Sequence, residues 1–133
     1  MAINFDSALG VKEHAMRLRA HRADVLSSNL ANVNTPNYKA RDIDFTAELK
    51  AQMDGGVSRH LSTRHQGHIN LADTQAGAYE KLYRVPHQQS IDGNTVEEHV
   101  EHGEFMRNSL EFQVGFTLLN SSFKGLSKAL RGE

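Results

Sequence analysis

The sequence NTVEEHVEHGEFMRNSLEFQVGFTLLNSSFKGLSKALR occupies residues 94–131 and carries the clearest pattern in the chain. One row of residues recurs there in alternating steps of four and three, and all but one of its members are large and apolar. We call this row the C-terminal stripe: Phe105, Ser109, Phe112, Phe116, Leu119, Phe123, Leu126 and Leu130. Such steps place residues along one side of an α-helix, as in coiled coils. The pattern therefore predicts a long C-terminal core helix over 94–131.

The charges at the two ends of this helix suit its dipole, which favours acids at the start and bases at the end. The acids are Glu97, Glu98, Glu101 and Glu104, and the bases are Lys124, Lys128 and Arg131. Asn94 followed by Glu97 predicts a capping box at the helix start. His99 and His102 lie among the acids, but their spacing does not match the His-Glu-x-x-His zinc motif. We interpret this part as a solvated helix face, with a metal site as the weaker alternative.

A second helix, the N-terminal core helix, is predicted over 7–33, where proline is absent and apolar residues again recur at heptad spacing. We call its larger apolar members the N-terminal stripe: Leu9, Met16, Leu26, Leu30 and Val33. Lys12, Arg19 and Ala23 interrupt the pattern, so this helix is an imperfect partner for the last one. Its basic residues favour a solvated face or, alternatively, pairing with the acidic helix start of a neighbouring subunit.

The middle of the chain, residues 34–93, has weaker patterns. Phe45, Leu49 and Met53 follow one another at steps of four, which predicts a short helix after an Asp44 cap. Residues 79–85 favour a strand that ends at a proline. Residues 54–78 hold few large apolar side chains and several glycines. We predict a variable loop there that tolerates substitution.

These elements predict a mainly α fold class in a single unit over 1–133. Two long terminal helices pack antiparallel in coiled-coil fashion, with a short helix, a loop and a small β-hairpin-like segment between them. One imperfect helix pair leaves aromatic surface exposed, and such surface marks an interaction site. We therefore expect both stripes to form an assembly seam, completed by copies of the chain or by relatives, and the terminal helices of the isolated chain to fluctuate.

The composition excludes several classes of function. The chain has 133 residues and a net charge of −1, so no strong field attracts nucleic acid or anionic lipid. It has no cysteine, which excludes disulfides, thiolate nucleophiles and cysteine-based zinc sites. No apolar stretch is long enough to span a bilayer, and the N-terminus does not read as a cleavable signal peptide. No nucleophile elbow, phosphate loop or dinucleotide motif occurs. We predict no catalytic residue, no cofactor and no metal, and we interpret His60, His65 and His68 as surface residues.

The turn after the first helix carries a specific motif, Ala31-Asn32-x-x-Thr35-Pro36-x-Tyr38-Lys39. Asparagines can end a helix, Pro36 prevents its continuation, and Tyr38 can pack the turned chain back. The motif resembles the N-terminal signature of the bacterial flagellar rod and hook axial proteins, and similarity to the basal-body rod family extends over essentially the whole chain. Within that family the closest likeness is to the B-type proximal-rod members. The motif positions are Asn29, Ala31, Asn32, Thr35, Pro36, Tyr38, Lys39, Asp42 and Phe45.

The resemblance implies a structural subunit of the proximal rod, the drive shaft that transmits torque from the membrane ring to the hook. It implies export without a cleaved signal peptide through the flagellar type III apparatus and assembly in the periplasm. The partners it implies are copies of the chain, other flagellar rod proteins, a basal-body adaptor protein, the membrane ring and the export gate. Two alternatives stay open from the residues alone: a soluble coiled-coil adaptor or export module, and, with less support, an enzyme that uses the histidine-rich region.

Overall fold

The computed structural model describes residues 9–53, 79–88 and 90–132 of the chain. The predicted loop over 54–78, with its three histidines, lies outside the described residues. The described residues form three helices and two short strands, which confirms the predicted mainly α fold. In chain order they are α1 (Val11–Ala31), β1 (Arg41–Asp42), α2 (Phe45–Met53), β2 (Leu82–Tyr83) and α3 (Glu98–Arg131).

Helices α1 and α3 pack antiparallel, as the sequence predicts. Near the start of α1, the ammonium of Lys12 donates to the hydroxyl of Ser122 (2.5 Å), late in α3. Near the end of α1, the amide nitrogen of Asn29 donates to Glu101 in the first turn of α3 (3.1 Å). Since these two contacts lie at opposite ends of the pair, they fix the antiparallel direction and the register of the helices.

The apolar core is small and joins α1 to the segment around β1 and α2. Leu18, Val25 and Ile43 form its buried centre. Side chains of α2 and of the segment before β2 pack against this centre. These surrounding residues are Phe45, Leu49 and Tyr79. Because α1 contributes to this core and also packs against α3, it is the central element of the molecule.

Strands β1 and β2 form a two-stranded antiparallel sheet in which Arg41 lies opposite Tyr83 and Asp42 opposite Leu82. The sheet places Asp42 close to both long helices. Directly after β1, the carboxylate of Asp44 accepts hydrogen bonds from the backbone N–H groups of Thr46 and Ala47 (both 3.0 Å). These bonds confirm Asp44 as the cap of α2 and set the direction in which α2 leaves the sheet.

Asn94 does not form the capping box predicted at the start of α3. Helix α3 begins at Glu98, and no side chain caps it. The amide nitrogen of Asn94 instead donates to the carbonyls of Asn32 (3.1 Å) and Val33 (2.7 Å), just past the end of α1. The Asn32 carbonyl also accepts from the Thr35 N–H (3.0 Å), whereas Asn94 supplies the donor for the Val33 carbonyl. Asn94 therefore ties the end of one long helix to the approach of the other.

Candidate assembly site

The contact between α1, the sheet and the start of α3 is polar. The carboxylate of Asp42 accepts two hydrogen bonds from the guanidinium of Arg22, at 2.8 and 2.9 Å, and one from Arg84 at 2.6 Å. Arg22 also donates to Glu104 (2.8 Å). Each arginine therefore approaches Asp42 from a different element. We call the group that includes these residues the polar network: Arg22, Asn29, Asp42, Arg84, Glu101 and Glu104.

Glu101 is the deepest acid of the polar network, and its solvated placement predicted from the sequence is wrong. Its side chain is completely buried. One carboxylate oxygen accepts from Arg84 (2.6 Å) and the other from Asn29 (3.1 Å). His99 and His102, by contrast, lie exposed on α3, as predicted. A charge removed from water is tolerated only with such partners, so Glu101 depends on both.

Asn29 explains why this position of the motif holds an asparagine. It is fully buried in the last turn of α1, whereas Asn32 follows the last helical residue, as predicted. The amide nitrogen of Asn29 donates to the carbonyl of Arg41 (2.7 Å) as well as to Glu101, and its side-chain oxygen accepts from the Arg41 N–H (3.1 Å). One side chain therefore links α1, β1 and α3, which needs both the donor and the acceptor of an amide.

The two carboxylates at the centre of the polar network have opposite pKa shifts. Burial acts to raise the pKa of Asp42, but the hydrogen bonds from Arg22 and Arg84 outweigh it, so the pKa lies below its usual value. Burial raises the pKa of Glu101 above its usual value, and its hydrogen bond from Asn29 only partly opposes this effect. The pKa of Arg22 is raised, first by its hydrogen bond to Asp42. The polar network thus lowers the pKa of Asp42 and raises the pKa of Glu101.

Two basic residues of α1, Arg19 and Arg22, form ion pairs with acids of α3 in the same chain. Arg19 forms an ion pair with Glu111, and its guanidinium lies 4.0 Å above the Phe45 ring. Arg22 pairs with Glu104. A solvated face, the first interpretation of these basic residues, is therefore wrong for Arg19 and Arg22. The charge complementarity that the sequence suggested toward a neighbouring subunit occurs within the chain at these two positions.

The motif turn is joined to the residues before α3. The Asn37 N–H donates to the carbonyl of Asp92 (3.0 Å), the Thr95 N–H to the carbonyl of Tyr38 (3.0 Å), and the Lys39 ammonium to the carbonyl of Gly93 (2.6 Å). Gly93 has a φ of +73°, and a Cβ there would lie 2.7 Å from the side-chain oxygen of Asn37. The turn therefore requires glycine at this position.

The other motif positions mostly act locally. The hydroxyl of Thr35 donates to the side chain of Asn32 (3.1 Å), and the Tyr38 hydroxyl lies 3.4 Å from that of Ser28. Ala31, the last residue of α1, and Pro36 are exposed. Asp42 joins the polar network and Phe45 the apolar core. The structure thus brings Asn29 and Asp42 into one site, while the remaining motif residues build the turn or the core.

The C-terminal stripe is largely uncovered. Phe116 is 57% exposed and Leu130 is 88% exposed. The other members divide between half-buried and exposed positions. Phe105, Phe112, Leu119 and Leu126 are half-buried, and Ser109 and Phe123 are exposed. Helix α1 lies against a more polar side of α3, so the stripe has open apolar surface along most of its length.

The side chains of the N-terminal stripe are more buried than those of the C-terminal stripe. Leu26 is completely buried. The remaining members, Leu9, Met16, Leu30 and Val33, are half-buried. Met16 meets α3 at Gly115, where an added Cβ would lie 3.7 Å from the Met16 side chain. The two stripes therefore differ: much of the first contributes to the monomer, whereas much of the second faces solvent.

A further apolar row on α3 was not recognised in the sequence. It consists of Met106, Leu110, Val114 and Leu118, all more than half exposed. At 3.6 residues per turn, Val114 and Phe116 point to roughly opposite sides of the helix. The repeated step of four was the available signal, but the stronger stripe obscured it. Helix α3 thus exposes apolar side chains on two sides while α1 covers a third.

Within residues 9–53, 79–88 and 90–132, no group of three or more metal-ligating side chains occurs that could hold an ion. No helix in this part of the chain combines the length and apolar character needed to cross a membrane.

Comparison with known proteins identifies the family of the chain. Residues 9–39 match the family model described as Flagella basal body rod protein. The chain is 44% identical to the flagellar basal body rod protein FlgB of Salmonella typhimurium over 138 aligned residues, which cover 99% of each chain. The FlgB of Aeromonas hydrophila is 46% identical over 135 residues, covering 100% of this chain and 99% of the relative.

The chain belongs to the flagellar basal body rod protein FlgB family. A relative from Cereibacter sphaeroides, also named FlgB, is 46% identical over 129 residues, which cover 97% of the chain. The similarity extends through α3, well beyond the residues of the family model. The family resemblance predicted from the motif is therefore confirmed, and it covers nearly the full FlgB-family sequence.

Proposed function

We propose that this chain is a structural subunit of the proximal rod of the bacterial flagellar basal body. In this proposal the rod is the drive shaft that transmits torque from the membrane ring to the hook. Family membership over nearly the full chain supports a rod subunit. The single observation that carries the mechanism is the exposed C-terminal stripe, since a helix with open apolar sides gains stability only when neighbours cover it.

The division of α3 explains how one subunit can be soluble before assembly and stable after it. Polar contacts with α1 hold the first half of the helix, and apolar surface on the second half is available to other subunits. The partners proposed are copies of the chain and other rod proteins, with the adaptor protein, membrane ring and export gate at the base. We infer localisation in the periplasmic rod after export without a cleaved signal peptide, and no enzymatic activity or cofactor.

Phe116 offers a direct test of assembly through the stripe. Replacing Phe116 with Asp puts a carboxylate where apolar partners should close, at a cost of several kcal/mol for an unpaired buried charge. Since Phe116 is exposed in the isolated chain, the variant should still fold and be exported. We expect basal bodies without rods and cells that do not swim.

Phe116→Leu is the matched control, because it alters the same position and keeps an apolar side chain. Cells with this variant should build rods and swim. Electron microscopy of purified basal bodies, with immunodetection of the exported chain, separates the outcomes. Normal rods in the Phe116→Asp strain would contradict assembly through the stripe, and normal rods in a strain that lacks the chain would contradict the proposed function itself.

A further inference from the structure

The most exposed apolar side chains of the described residues lie at the two ends of α3. Ile91 is fully exposed and Val85 is 85% exposed, and both lie in the connection that leads into the start of the helix. Leu130 lies in the last turn. The helix has 34 residues, so these two apolar ends are about 50 Å apart. Two separate surfaces on one elongated chain can contact two different neighbours.

The start of α3 forms a groove of about 620 Å³. Its apolar lining comes from Ile91, Val96 and Val100, and its carboxylates are those of Glu97 and Glu98. Glu97 accepts hydrogen bonds from the backbone N–H groups of residues 87 and 88, which shapes the wall. Glu98 stands exposed at the rim. We call this feature the start groove.

The other end of α3 has the complementary character. Residues 112–132 contain three cations and no acid, and Glu133 follows them outside the described part of the chain. The cations Lys124, Lys128 and Arg131 are exposed, and they flank apolar Leu126 and Leu130. This end is therefore an apolar ridge with a basic edge, matched in charge and polarity to the start groove.

We propose that the start groove of one copy of this chain receives the C-terminal end of α3 from a second copy. Leu130 and Leu126 lie against Ile91, Val96 and Val100, and the basic edge faces Glu98. This inference rests on the proposed function and names a contact within it. The two surfaces are different, so the contact is head to tail and leaves a free surface at each end of the pair. Such a contact can repeat along an axis, as a rod requires.

Because the chain lacks cysteine, introduced cysteines give an unambiguous test. Full-length Ile91→Cys and Leu130→Cys chains are mixed and treated with a short bismaleimide that joins two thiols. We expect the 91–130 pair to form about tenfold faster than pairs of Ile91→Cys with Gln113→Cys, since docking raises the local thiol concentration. Gln113 is exposed at mid-helix and controls for random collision. Equal rates, or a dominant 130–130 product, would overturn the head-to-tail contact.

A charge swap between the two surfaces gives a second test. Its result compares two variants, so it does not depend on whether one of them folds normally. Lys128→Glu in the Leu130→Cys chain should lower the cross-linking rate, because it places an acid against Glu98. Glu98→Lys in the Ile91→Cys chain should restore it. Both side chains are exposed, so neither change should unfold the chain. A cross-linking rate that does not respond to the charge swap would contradict the contact between Lys128 of one copy and Glu98 of the other.

The same cysteine chains, expressed in cells, separate this inference from the proposed function. Basal bodies that contain the chain should yield the 91–130 product. Swimming cells whose basal bodies give only a product between position 130 and another protein would overturn the second copy as occupant and leave the rod function intact. Absence of the chain from basal bodies of swimming cells would instead overturn the proposed function.

Discussion

The two halves of α3 are stabilised in different ways. In the first half, Glu101 and Asn108 are buried. Glu101 accepts hydrogen bonds from Arg84, which follows β2, and from Asn29 on α1, and the amide nitrogen of Asn108 donates to the carbonyl of Arg19 on α1. In the second half, Phe116 and Phe123 are exposed although they belong to the strongest apolar pattern of the chain. Polar side chains thus hold the first half of α3 to the rest of the subunit, and side chains of the strongest apolar pattern lie open on the second half. This is the arrangement expected of a subunit that completes its packing in an assembly.

The largest expected effect on the isolated chain comes from breaking the polar network. Glu101→Ala leaves Arg84 facing a buried space with one charge partner lost, which should lower the free energy of unfolding by about 3–5 kcal/mol. Glu98→Ala, one turn earlier and exposed, should stay within about ±0.5 kcal/mol. Urea unfolding of both purified variants measures the difference. Equal small losses would mean that the first half of α3 is not held by its buried acid.

A smaller loss is expected where Asn94 joins α1 to the approach of α3. Asn94→Asp keeps the acceptor but removes the donor to the carbonyls of Asn32 and Val33. The Asn32 carbonyl keeps its bond from the Thr35 N–H, but the Val33 carbonyl loses the donor of Asn94, which should cost about 1–3 kcal/mol. Asn120→Asp, at an exposed position on α3, is the matched control and should change little. Thermal unfolding that ranks the two variants equally would contradict the role of Asn94.

The lowered pKa of Asp42 predicts how the stability of the folded chain depends on pH. Its pKa in the folded chain lies below that of the unfolded chain, near 3.9, so its contribution is present above about pH 4 and lost as pH falls through the folded value. Glu101, whose pKa is raised, acts in the opposite direction. Asp42→Asn should therefore destabilise the chain at pH 7 and converge with the unmodified chain at low pH. Melting temperatures between pH 7 and pH 3 provide the measurement. An Asp24→Asn curve parallel to that of the unmodified chain is the control, and a constant offset for Asp42→Asn would contradict the shift.

The smallest expected effect on the stability of the isolated chain comes from a substitution in the second, exposed half of α3. Phe116→Asp should change the free energy of unfolding by no more than about 0.5 kcal/mol, because little of this ring is buried within the subunit. Urea unfolding of the purified variant, beside Phe116→Leu, measures this. A loss of several kcal/mol would show that the stripe stabilises the subunit itself and would remove the contrast between the two halves.

The sequence predicted the parts of this structure that depend on local periodicity. Both long helices, the short helix capped by Asp44 and the chain reversal after Asn32 follow from patterns within a few residues. The partners of Glu101 could not be predicted in this way, because Arg84 and Asn29 lie 17 and 72 residues away. An acid near a helix start has an adequate local explanation in the dipole, which concealed its burial. The role of Asn94 was mispredicted for the same reason: with Glu97 it fits a local capping box, but its partners Asn32 and Val33 lie 62 and 61 residues away.

Hydrogen exchange measured on the purified chain and on purified basal bodies tests the contrast between the two halves most directly. Amides of residues 101–111 should exchange slowly in both samples, because the polar network holds them in the subunit. Amides of residues 116–130 should exchange rapidly in the purified chain and slowly in basal bodies, where neighbouring subunits cover the stripe. Slow exchange throughout α3 in the purified chain, or rapid exchange of residues 116–130 in basal bodies, would contradict assembly through this half of the helix.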